Sequence, residues 1–256
     1  MAIDVPEQKQ GGWRETIKII TEALIIAVVI RTLLFQPFNI PSSSMEPNLL
    51  VGDYLFISKY SYGYSKHSIP FSPPVFSGRI WASEPKRGDV VVFKKPKDIS
   101  LDYIKRVIGL PGDRIKVTGG IVHINGKPVT RKLIEARKES EWDEYNRRWI
   151  SFPDVVYYRE TNPEGVSYIV REALGDRGDY DNTREYVVPA GYYFMMGDNR
   201  DRSEDSRSND VGFVPFENLE GRAEILFFST KPDFSIWKFW NWPWTVRWER
   251  IFKSIE

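Results

Sequence analysis

Between Gly52 and Pro128 the chain holds no long stretch in which apolar residues recur at helical spacing. Short runs of β-branched and aromatic residues follow one another instead, each closed by Gly, Pro, Asn or Asp. Such runs are strand signals and turn signals in alternation. Gly52–Lys59, Val90–Lys94, Tyr103–Gly109 and Arg114–Val117 read as strands, and Ile121–Pro128 reads as a hairpin around Asn125-Gly126. Strand character returns at Val187–Met196 and Gly221–Ser229. The sequence therefore predicts a mainly β protein. Its 256 residues suffice for one large domain or two small ones with a real core.

Two internal segments break this rhythm. Residues 60–86 are rich in Tyr, Ser, Pro and Phe and read as a long loop. Residues 131–186 are charged and aromatic, with strand signals at Val155–Tyr158 and Val166–Val170, and read as an inserted, smaller β-rich subdomain with a thin core. It divides the β domain into a first part, 37–130, and a second, 187–230.

The two ends differ from the middle. Residues 1–16 form a polar tail. Residues 17–36 carry the most apolar run, Ile17–Phe35, which has the length a bilayer core requires, about 20 residues, but is interrupted by Lys18, Glu22 and Arg31. The run reads as a transmembrane anchor, with a buried amphipathic helix as the competing reading. Lys9, Arg14 and Lys18 favour a cytoplasmic N-terminus, which would leave the remaining chain outside the membrane. In residues 231–256, Trp237, Trp240, Trp242, Trp244 and Trp248 cluster, and Trp248, Ile251, Phe252 and Ile255 follow at helical spacing with Arg247, Arg250 and Lys253 between them. That pattern predicts an amphipathic helix with a basic face, docked either on lipid or on the domain core.

Composition narrows the chemistry. There is no cysteine, so thiol catalysis, disulfides and cysteine metal sites are excluded. The two histidines, His67 and His123, have no metal-ligand spacing, so no metal and no cofactor is expected. A net charge of +1 gives no field directed at nucleic acid.

Pro41-Ser42-Ser43-Ser44-Met45-Glu46-Pro47 stands between the apolar run and the first strand. Two prolines bracket three hydroxyls, which reads as a rigid extended loop presenting them, or as an ordinary polar turn. No histidine stands near, so an activated serine needs another base. Period-two alternation places Tyr103, Lys105 and Val107 on one sheet face. A lysine there is either a desolvated general base or an edge lysine that discourages aggregation. The first role demands that Lys105 be buried, with no Asp or Glu in direct contact.

Four stretches in order resemble the bacterial type I signal peptidases, membrane-bound Ser-Lys endopeptidases: Pro41–Pro47, Arg87–Phe93, Tyr103–Asp113, and Gly197–Asp201 with Ser203, Asp205, Ser206 and Arg207. The resemblance implies an antiparallel β core of that type and removal of N-terminal signal peptides from exported preproteins at the extracytoplasmic side of the bacterial plasma membrane. It implies Ser44 as nucleophile, Lys105 as general base, Ser42 as an oxyanion-hole hydroxyl and Ser203 as the serine that orients the lysine. Asp205 and Arg207 would form an ion pair shaping the site, while Met45, Tyr103 and Met195 would line the substrate pocket or desolvate the amine. The partners implied are signal peptides and the lipid bilayer. Ser43 stands where the family usually has Gly, and Ser208–Val211 lengthens the link after Arg207. A self-cleaving repressor protease would share the dyad but needs a DNA-binding domain, for which no signal is visible. A membrane-anchored scaffold with a decayed site is favoured only by Ser43.

Overall fold

A computed structural model describes residues 12–143, 148–231 and 234–255. The first eleven residues of the expected polar tail lie outside it. The chain opens with helix α1 (Trp13–Leu33) and continues through β1 (Phe35–Asn39), β2 (Asp53–Ser58), β3 (Val90–Lys95), β4 (Asp98–Gly109), β5 (Arg114–Thr118), β6 (Ile121–Ile124) and β7 (Lys127–Pro128). Then come β8 (Thr130–Asp143), β9 (Arg148–Thr161), β10 (Ser167–Glu172), β11 (Tyr186–Val187), β12 (Tyr192–Met196), β13 (Val214–Pro215), β14 (Leu219–Ser229) and the one-turn helix α2 (Trp242–Thr245). The strands form a seven-stranded sheet, β1-β2-β14-β3-β4-β12-β13, a four-stranded sheet, β11-β5-β6-β7, and a three-stranded sheet, β10-β9-β8. Every strand pairing is antiparallel.

Strand patterning places the core. Along β3, Val90 and Val92 join one apolar cluster with Ile40, Met45, Leu55, Ile57 and Ile104, while Val91 and Phe93 join a second with Val107, Tyr193, Met195 and Leu219. The run of valines is thus a strand buried on both faces. The β6–β7 turn is the one its sequence specifies: Asn125 and Gly126 both hold positive φ, 54° and 79°, as a tight two-residue hairpin turn requires. Tyr168 and Val170, within the expected inserted subdomain, pack in one cluster with Ile108, Ile115 and Phe194. The segment therefore shares a core with the rest of the β structure, and only Phe152, Val155, Tyr157 and Ala173 form a cluster of its own.

Two expectations about the ends need correction. The apolar run is helical, but among the described residues no helix is long and apolar enough to cross a membrane. Charges at Arg14, Glu15, Lys18, Glu22 and Arg31 break its apolar surface, and β1 begins at Phe35. Nor is the helix core-packed, because none of its residues is buried.

The C-terminal amphipathic helix does not form either. Helix α2 ends at Thr245, and the following segment runs back along β14 through Arg247 N–H to Ser229 O, Phe252 N–H to Leu226 O and Ile255 N–H to Glu224 O. Helical spacing misled here because the edge of β14 offered backbone partners. The arginines of the supposed basic face turn inward: Arg250 is buried on Asp53 at 2.5 Å, and Arg247 reaches Val51 O at 3.0 Å.

Candidate active site

The loop after β1 is short and tightly turned. Ser43–Met45 form one 3₁₀ turn rather than the expected extended loop, and Met45 anchors it in the core, fully buried among Ile40, Leu49 and Leu55. Met45 therefore holds the turn in place and is not among the walls of the groove in front of Ser44. Ser43 has no positive φ, so serine there carries none of the backbone strain expected from replacing a glycine. The observation that favoured a decayed scaffold is thereby removed.

The turn directs Ser44 at Lys105. Lys105 Nζ donates to Ser44 Oγ across 2.6 Å, and Ser42 Oγ stands 3.4 Å from Ser44 Oγ. The lysine side chain emerges from the middle of β4 on the face shared with Val91, its cross-strand partner, and Val107, which lies opposite Met195. Lys105 is 4% exposed. Among the described residues it forms no ion pair; its amine instead faces the Tyr103 ring, 5.4 Å from the centroid. Burial drives its pKa down to about 8, and the more distant charges of Asp205, Asp198 and Glu204 oppose that only in part. The amine is thus poised to lose its proton near neutrality.

The dense polar loop after β12 supports this pair from below. Asn199 donates from its backbone to Ser44 O at 3.1 Å and from its side chain to Ser43 O at 3.1 Å. At Gly197 a Cβ would lie 2.4 Å from Ser44 O, so no side chain fits between the two loops. Asp205 and Arg207 form the expected buried pair, with Nε and Nη2 on the two carboxylate oxygens at 2.9 and 2.8 Å. Burial pushes the Asp205 carboxyl up, but Arg207 and the Gly197 N–H outweigh it and hold it below the ordinary range. Ser203 is buried beside Gly197, yet its Oγ makes no hydrogen bond of normal geometry among the described residues. The orienting bond to Lys105 implied for it is not made. The longer link after Arg207 stays clear of the groove, with Asp210 paired to Lys95.

Several supporting residues had no role assigned from sequence. Arg106 is fully buried and binds Asp198 twice at 2.8 Å, Gly88 O at 2.8 Å and the face of Tyr168. Asp198 also accepts from Asn48 at 2.7 Å, which ties the end of the serine loop to the same carboxylate. The signal for this network was present in period-two alternation: if Lys105 faces one side of β4, Arg106 faces the other and needs a buried carboxylate.

A groove of about 450 Å³ opens in front of the pair, with Phe38, Ile40, Ser42, Ser44, Tyr103 and Lys105 on its walls. Met195 is buried on the sheet face that Lys105 shares with Val107, and it is not among the groove's walls. Both flanking strands present unpaired edges. β1 pairs only with β2, and β12 pairs β4 only from Arg106 onward, so among the described residues Asp98–Lys105 has no partner on that side. Free edges 3.3 Å per residue in rise, apolar walls and a buried nucleophile–amine pair make a site that can bind an extended peptide and attack its carbonyl.

Comparison with known proteins finds relatives over nearly the whole chain. The family model for signal peptidase, peptidase S26, matches residues 13–228. A signal peptidase I of Rickettsia typhi is 42% identical over 251 residues, covering 92% of this chain and 91% of its own. One of Rickettsia canadensis is 40% identical over 271 residues, covering 100% of this chain and 98% of its own. A crystal structure of a signal peptidase I from Enterococcus faecalis V583 is 27% identical, covers 55% of this chain and 97% of its own, and has a TM-score of 0.31. On the extent of the family match and of the two full-length relatives, the chain belongs to the signal peptidase family, peptidase S26, and is an enzyme of it.

Proposed function

We propose that this chain removes signal peptides from preproteins with Ser44 as nucleophile and Lys105 as general base. The observation that carries this reading is the 2.6 Å approach of a buried, unpaired lysine amine to a serine hydroxyl at the end of a groove with free strand edges. The neutral amine accepts the Ser44 proton as Oγ attacks the scissile carbonyl carbon. Negative charge then develops on the carbonyl oxygen, where the Ser42 hydroxyl and the Ser44 N–H are the donors at hand. On collapse, the ammonium returns its proton to the leaving amine, and Lys105 then activates the water that hydrolyses the acyl ester. Asp205–Arg207 and the Asn199 contacts keep the two loops in register.

The substrate adds a strand between β1 and β4, with small side chains before the cut facing the apolar wall of Phe38, Ile40 and Tyr103. The enzyme works at the bacterial plasma membrane with its catalytic domain on the extracytoplasmic side; the exposed apolar surface of α1 and exposed Trp237, Trp244 and Trp248 support a bilayer as partner. Detergent-solubilised full chain given a preprotein tests the assignment. Lys105→Ala is expected to lower kcat by about 10²–10⁴-fold, and Ser44→Ala to abolish cleavage. Unchanged cleavage in either variant overturns it.

A further inference from the structure

The groove continues past Asp102. Beyond it lies a second cavity, of about 430 Å³, where the end of α1 meets the start of β4; its walls include Arg31, Gln36, His67, Lys94, Ser100 and Asp102. Asp102 lines both spaces. The order β1-β2-β14-β3-β4, antiparallel at each step, makes β1 and β4 run in the same direction. The second cavity takes residues from the start of both strands, Gln36 and Ser100, and the catalytic groove takes later ones, Phe38 and Lys105. A peptide running parallel to both strands passes the second cavity before it reaches Ser44, whereas an antiparallel one would meet that cavity after the cut. At about 3.3 Å per residue, Ser100 stands roughly 16 Å before Lys105.

The two spaces differ in chemistry. Lys94 is paired with Asp102 at 2.6 Å and Glu220 at 3.2 Å, and Glu220 is also paired with Lys59 at 2.9 Å. Two lysines thus balance two carboxylates. His67 Nδ1 is engaged with Ser72 Oγ at 3.0 Å. Arg31 adds a positive charge that forms no ion pair among the described residues. Ile69, Pro70, Phe71 and Ile99 are also on the walls, so an apolar side chain finds contact there too, but an acceptor meets Arg31 in addition and leaves the polar network its hydrogen bonds.

We propose that this cavity is a substrate subsite that selects a side chain bearing a hydrogen-bond acceptor, Asp, Glu, Asn or Gln, at the fifth or sixth residue before the scissile bond. The proposal rests on the signal-peptide reading of the site. Its test uses the full chain in detergent and two substrate series built on one preprotein. One series carries Gln, Glu, Leu or Lys at the fifth and sixth residues before the cut, and the other varies the residue immediately before the cut. Gln and Glu are expected to give kcat/KM about five- to tenfold above Leu, chiefly through KM, with Lys lowest. In Arg31→Gln that ratio falls toward one, while the dependence on the residue beside the cut persists. Equal cleavage of all four, with that second dependence intact, overturns the subsite and leaves the function standing. Cleavage that survives Ser44→Ala overturns the function and the subsite with it.

Discussion

At the scale of a single residue, Lys105, as the proposed base, would set the pH behaviour of the molecule. Burial disfavours the ammonium and pushes the pKa of its amine down from the ordinary 10.5 to about 8. Cleavage is therefore expected to rise with pH through about 8 and to level off above it, measured as kcat/KM on a preprotein; a profile flat from pH 6 to 10 would contradict a lysine base. The same displacement has a stability consequence of defined sign. Between about 8 and 10.5 the unfolded chain binds the proton and the folded one does not, so stability rises with pH across that window. Below about 8 both states are protonated and the folded state carries the whole burial penalty, about 3 kcal/mol. Lys105→Met should thus be inactive yet more stable than the parent at pH 7, with the advantage fading toward pH 10.5. Urea titrations at both pH values check this, and a variant that is less stable at pH 7 would mean that the bond to Ser44 outweighs desolvation.

At the scale of elements, the site depends on how two loops meet. Asp198 joins them: it neutralises fully buried Arg106 of β4 and accepts from Asn48 beyond the serine turn. Removing one partner of such a pair leaves a buried charge unmatched, which costs about 3–5 kcal/mol. Asp198→Asn is expected to lose that much stability and, below its melting range, to lose kcat more than KM, since the Ser44 turn is displaced while the groove edges remain. Circular-dichroism melts and steady-state kinetics read the two effects; equal kcat would mean that Asn199 alone holds the turn. The strands and the Asn125-Gly126 turn were legible in the sequence because each has a local signature in alternation or turn chemistry. The residues alone left Ser44 open to reading as part of a polar turn and Lys105 as an edge lysine, and only the resemblance of four stretches singled the two out. Asp198, Asn199 and Gly197 were not, because what they do depends on Ser43, Ser44 and Asn48, some 150 positions away. The C-terminal segment was misread for a related reason: its helical spacing is real, but the free edge of β14 that captured it is a tertiary fact. The bond from Ser203 to Lys105 that the resemblance implied is likewise not made among the described residues, where the hydroxyl lies beside Gly197.

At the scale of the whole molecule, one side carries a band of aromatic rings. Phe35, at the exit of α1, meets Phe56; Phe56 stacks on Phe227 at 4.3 Å; Tyr54 bridges Phe227 and Phe228; and Phe228, Phe234 and Trp242 continue into the tryptophan-rich segment. Trp237, Trp244, Trp248 and Phe252 stand exposed there, Trp237 at 84%. Helix α1 with its uncovered apolar surface and the C-terminal rings are thus linked across β1, β2 and β14. Under the membrane role proposed above, such a band would meet a bilayer surface, because Trp and Tyr favour the boundary between headgroups and water. The arrangement also places the entrance of the groove, beside Arg31 and Gln36, next to the end of α1. On the proposed function, a substrate peptide would enter between β1 and β4 from the end of the groove that holds Arg31 and Gln36. The band can be tested apart from the helix. A chain beginning at Leu34 should still bind vesicles of mixed zwitterionic and anionic lipid, and Trp248→Ser with Phe252→Ser should weaken that binding about a hundredfold, since fully burying each large apolar side chain is worth about 1.5–3 kcal/mol and about 1.4 kcal/mol is tenfold. Neither ring is packed in the core, so the melting temperature should hardly move. Equal flotation of the doubly substituted and parent chains would assign membrane attachment to α1 alone.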